Sequence, residues 1–144
     1  MRYTTEVTID LPRARVIELF DNPDNMAKWQ KGFKSMETIE GEAGTAGAKS
    51  RLLYDENGRE VEMIETIIRS DLPDEISFVF EAKHVRNQNE NRFHETGDGT
   101  TRWVQDNEFR STGLMALMAI FIRGAFPKQT LKDMNRFKAF AEQA

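Results

Sequence analysis

The chain has 144 residues, 39% hydrophobic and 31% charged, which suits one globular domain over residues 1–144 and excludes a disordered or membrane-embedded composition. A formal net charge of −4 argues against the cationic surface that phosphate backbones require, so nucleic acid is not an expected partner. Cysteine is absent, which removes disulfides, thiolate nucleophiles and cysteine metal sites; with only His84 and His94 to supply imidazole, no metal or other cofactor is expected.

Residues Arg2 to Asp10 alternate, with Tyr3, Thr5, Val7 and Ile9 on one side, as a half-buried strand does. The same stretch lacks the apolar core of a signal segment. Asp10-Leu11-Pro12 then opens a helix whose apolar stripe is Val16, Leu19 and Phe20. Asn22-Pro23 ends it, and a second short helix is expected from about Asp24 to Trp29.

Strands follow at Met36 to Glu40 and Lys49 to Tyr54, then the Asn57-Gly58 hairpin signal, then Glu60 to Arg69. In that last strand either face could be apolar; the set Val61, Met63, Glu65 and Ile67 is favoured as inward. Glu75 to Ala82 alternates with Ile76, Phe78, Phe80 and Ala82 together, and Asn89 to Glu95 is a polar strand carrying Phe93. Thr101 to Arg110 separates a charged side (Arg102, Asp106, Glu108, Arg110) from Thr101, Trp103, Gln105, Asn107 and Phe109. A slip of one residue would bury four charges, so this facing is well determined.

From Leu114 to about Ala141 the sequence reads as helix. Leu114 to Ile122 is apolar all round, too short to span a bilayer; Leu131, Met134, Phe137 and Ala141 then line a single face. Gly124 and Pro127 between the two parts predict a kink or short break. A protein that is not integral to the membrane, in the cytoplasm, is expected.

The order of strand, two short helices, about six strands and a long helix resembles the START-like, helix-grip superfamily (SRPBCC), and within it the polyketide cyclase/dehydrase-like branch. The resemblance is carried by Ile9-Asp10-Leu11-Pro12-Arg13-Ala14-Arg15-Val16-Ile17-Glu18-Leu19-Phe20 with Trp29, by Asp71-Leu72-Pro73-Asp74, by Gly97-Asp98-Gly99-Thr100-Thr101-Arg102-Trp103, and by the run Lys128 to Lys138. It implies an α+β fold: a curved antiparallel sheet of about seven strands wrapped around a long C-terminal helix, with a hydrophobic cavity between them. It carries over no catalytic residue.

Ten phenylalanines and seven methionines suit such a cavity, because methionine repacks around varied guests. The expected lining is Trp29, Met63, Phe78, Phe80, Trp103, Gln105, Asn107, Phe109, Met118, Phe121 and Ile122. The alternative for each apolar member is an ordinary filled core. Gln105 and Asn107 are the more telling residues, since buried amides need partners. They could bond each other, water, or a ligand carbonyl or hydroxyl; Asn91 and Glu65 join them if their strands face as favoured. His84 and His94 are read as solvated. Three functions follow: binding or carriage of a hydrophobic small molecule (lipid, polyketide or aromatic), a cyclase or dehydratase acting on one, or a protein-interaction module. A homodimer is compatible with all three.

Overall fold

Among the described residues seven strands form; the first is followed by the helices, and each of the next five by a turn or loop short enough to bring the following strand back antiparallel. The computed structural model describes residues 1–113 and 124–144. The elements are β1 (Arg2–Ile9), α1 (Arg13–Phe20), a 3₁₀ turn (Pro23–Asn25), α2 (Met26–Trp29), β2 (Phe33–Glu40), β3 (Lys49–Glu56), β4 (Arg59–Asp71), β5 (Glu75–Ala82), β6 (Val85–Glu95), β7 (Thr101–Ser111) and α3 (Ala125–Gln143). The strands make one antiparallel sheet in the order β1-β7-β6-β5-β4-β3-β2. It is an α+β, helix-grip architecture.

Asn57 and Gly58 both take positive φ, the geometry a two-residue hairpin loop needs, and Glu56 pairs with Arg59 across it. In β4, Glu65 and Ile67 are buried while Glu60, Glu62 and Ile68 are exposed, so the inward face is the Val61, Met63, Glu65, Ile67 set. The outer face carries the ion pairs, among them Arg51 with Glu37 and Glu62, and Arg102 with Glu6.

Several expected boundaries move. β2 begins at Phe33 rather than Met36, and the second helical segment divides into the 3₁₀ turn and α2. β6 begins at Val85, four residues before Asn89, because Lys83-His84 makes a tight turn between Ala82 and Val85 with His84 at φ 67°. α3 starts at Ala125, directly after Gly124, and Pro127 falls in its first turn, where no backbone N–H is required. The expected helical run from Leu114 to Ile122 lies outside the described residues.

α3 lays Met134, Phe137 and Ala141 against the end of the inner face formed by Val7, Ile9, Ile67, Ile76, Phe93 and Trp103; Val16 and Leu19 of α1 close that end. The last turns of α3 also cap β1: Lys138 Nζ donates to the Thr8 carbonyl (2.7 Å), and Glu142 accepts from the Asp10 N–H (2.7 Å). Among the described residues, no helix is long and apolar enough to cross a membrane.

Candidate functional site

Alternation along β6 sends Asn87, Asn89, Asn91 and Phe93 to the inner face, and along β7 it sends Trp103, Gln105, Asn107 and Phe109 there. The register then sets Asn89 beside Asn107, Asn91 beside Gln105 and Phe93 beside Trp103. Four primary amides thus occupy two adjacent rungs, and they close a ring. Asn91 Nδ2 donates to Asn89 Oδ1 (2.6 Å), Asn89 Nδ2 to Asn107 Oδ1 (2.8 Å), Asn107 Nδ2 to Gln105 Oε1 (2.9 Å), and Gln105 Nε2 back to Asn91 Oδ1 (2.9 Å).

All four bonds run in the same sense around the ring, and Trp103 sets that sense. Its indole N–H can only donate, and it donates to Asn91 Oδ1 at 2.9 Å. The Asn91 amide must therefore turn its oxygen to the tryptophan, and its second N–H goes to the Ile76 carbonyl at 3.3 Å. Asn87 Nδ2 donates to Asn107 Oδ1 at 3.1 Å. A primary amide has two N–H donors and two acceptor lone pairs. Among the described residues, Asn89, Gln105 and Asn107 each keep one N–H that the protein does not use.

Two strands away, at a separation of about 10 Å, β4 places Glu65 between Ser50 of β3 and Phe80 of β5. Glu65 is 7% exposed and accepts no hydrogen bond from the described residues. Burial pushes its carboxyl from an ordinary 4.5 to about 7. Tyr54, on the same inner face of β3, donates its hydroxyl to Gln30 Oε1 (2.6 Å); burial first, then the nearby Glu65 and Asp133 carboxylates, hold it protonated far above the usual range. Asp133 of α3 is itself raised by burial, against the lowering pull of its bond to Gln129 and of Arg136. Tyr3 and Thr130 share a hydrogen bond of 2.6 Å between β1 and α3.

Phe78 and Phe80 stand between Glu65 and the ring, with their own rings 5.5 Å apart; Phe78 pairs with Asn89 and Phe80 with Asn87. Met63 is half-buried beside Leu52. Phe109 stacks between Tyr3 (6.0 Å) and Phe126 (4.9 Å). Trp103 is 1% exposed and packs with Phe20, Phe93 and Phe137 at centroid distances of 5.4–5.9 Å. Trp29 joins the same aromatic cluster through Phe137 (5.2 Å) and also borders a shallow outer groove with Lys28, Arg136 and Phe140. Met118, Phe121 and Ile122 lie outside the described residues. The structure thus brings Gln105, Asn107, Phe78 and Phe80 together and sets Trp29 and Trp103 in a packed cluster at one end. Sequence reasoning passed over Asn87 and Asn89, although the period-two run Asn87-Gln88-Asn89-Glu90-Asn91 signalled them.

The sequence model of the family described as polyketide cyclase/dehydrase and lipid transport matches residues 1–138. Solved structures share the fold at low identity. The Zhui aromatase/cyclase from Streptomyces sp. R1128 superposes with a TM-score of 0.80 at 17% identity, over 99% of this chain and 94% of that one. A conserved protein from Geobacillus kaustophilus gives 0.82 at 13%, over 99% and 96%. A START superfamily protein from Mycobacterium smegmatis gives 0.74 at 12%, over 99% and 97%. Among curated proteins, none matches the chain by sequence. With its whole sheet and most of α3 inside the matched span, the chain belongs to the polyketide cyclase/dehydrase and lipid transport family.

Proposed function

We propose that the chain binds a hydrophobic small molecule between the inner face of the sheet and its C-terminal helix, and that the amide ring takes an oxygen of that molecule. The ring is the observation that carries this reading. A core built only for stability would fill these rungs with Val, Leu or Phe, because a buried amide contributes little net stability even when paired. Here four amides are held in fixed orientation, with three N–H groups left without a partner among the described residues and Phe78 and Phe80 alongside. A few oriented polar groups in an apolar wall are the usual design of a small-molecule site.

A second reading, an enzyme of cyclase or dehydratase type, draws on Glu65: a carboxyl near neutrality can give and take a proton at working pH. The family description supports both readings.

The test is native mass spectrometry of freshly purified protein, then uptake of the neutral dye Nile red and its displacement by lipids and aromatic ketones. The expected result is saturable uptake at micromolar protein. Gln105→Met keeps the side-chain length and removes both amide functions. It should weaken an aromatic ketone by roughly threefold to tenfold and leave the matching hydrocarbon unchanged. No adduct and no dye uptake would remove the reading.

A further inference from the structure

Glu65 has a role that the amide ring does not share. The residue is 7% exposed, sits on the inner face of β4, and its carboxyl receives no hydrogen bond from any described residue. The cations of the sheet do not reach it. Arg51 pairs with Glu37 and Glu62, Lys34 with Glu60, Arg69 with Asp71 and Glu75, and Arg92 with Glu90, all on the outer face. Among the strand cations Arg59 alone shares the face of Glu65, and it is exposed at the hairpin end of β4, about 20 Å along the strand; the α3 carboxylate of Asp133 lies on the Tyr54 side with Arg136 and Lys31 acting on it. A buried carboxylate without a partner is costly, and a guest that brings a positive charge relieves that cost, whereas a guest that brings a carboxylate adds to it. The aromatic wall points the same way, because Phe80, directly across from Glu65, and Phe78 beside it can present ring faces to a cation.

Resting on the binding reading above, we propose that Glu65 makes this interior a receptor for an apolar molecule bearing a basic amine, with the ammonium on Glu65 and the apolar body against Phe78 and Phe80. Fatty acids and other apolar anions are selected against.

The test uses three guests of one shape, naphthylethylamine, naphthylethanol and naphthylacetate, competing against bound Nile red at about pH 8, where a carboxyl titrating near 7 is ionised. The expected order is amine, alcohol, acid, with the amine displacing dye at a concentration about tenfold below the alcohol. Glu65→Gln should erase the gap by weakening the amine, while the alcohol stays within about twofold, which also reports a folded interior. Glu65→Asp keeps the charge and should keep the amine ahead. Equal displacement by amine and alcohol in the unmodified protein, or an amine advantage that survives Glu65→Gln, would overturn the proposal and leave the binding reading standing. Failure to take up Nile red at all would bring down both.

Discussion

A carboxyl whose folded value lies above its unfolded one makes the folded state prefer the protonated form. Glu65 moves from 4.5 to about 7 through burial. Its contribution is therefore most favourable below about pH 4.5 and is lost as pH rises through about 7. Glu65→Gln replaces it with a neutral side chain of the same shape. The variant should be more stable than the parent above neutrality by on the order of 2–3 kcal/mol, and the two should converge toward pH 4.5. Urea unfolding at a series of pH values measures this; parallel stability curves across that window would contradict it. Trp103 illustrates a different economy at the same scale, since its bulk serves the aromatic cluster while its single N–H orients Asn91 and, through it, the other amides.

Between residue and sheet stand the links that aim each element. Gly32 joins α2 to β2 at φ +75°, and its carbonyl accepts the Asp55 N–H at 2.7 Å. A Cβ there would fall 2.2 Å from the Asp55 carbonyl oxygen, whereas at Gly44, φ +82°, it would meet open space. Gly32→Ala should destabilise by roughly 2 kcal/mol or more and Gly44→Ala by about 1. Thermal unfolding of the pair compares them, and equal losses would show that the close approach at Gly32 yields freely. The facing of β5 and β7 was legible in the sequence because apolar and polar residues largely alternate there, whereas that of β4 was only favoured, since Ile64 and Ile68 lie on the face opposite Val61, Met63 and Ile67. The first half of β6 was not. Its turn uses Lys83-His84, with a positive φ on a residue that only occasionally adopts one, so no Gly or Asn marks the hairpin.

At the scale of the whole molecule, the strand order sets the first strand against the last: β1 pairs with β7 from Arg2–Glu108 to Ile9–Thr101. That contact spans about a hundred residues, so closure comes late and folding should be slow, in the range of milliseconds to seconds. Stopped-flow refolding followed by Trp103 fluorescence checks this, and a microsecond phase carrying the full amplitude would refute it. The architecture was readable from element order because hairpin-linked strands and one amphipathic helix leave few arrangements. The amide ring was not, although Gln105 and Asn107 stood out on their strand. A ring needs the β6–β7 register, which the five-residue loop Thr96–Thr100 sets and which alternation alone leaves free by steps of two. The amides of Asn89, Gln105 and Asn107 are locked by their neighbours, so the two protons of each lie in unlike surroundings, one bonded to the next amide and one without a partner among the described residues. Side-chain NH2 resonances of Asn89, Gln105 and Asn107 therefore form a built-in spectroscopic gauge, in which the second proton of each pair would register a guest's arrival while the first records whether the circuit has stayed closed.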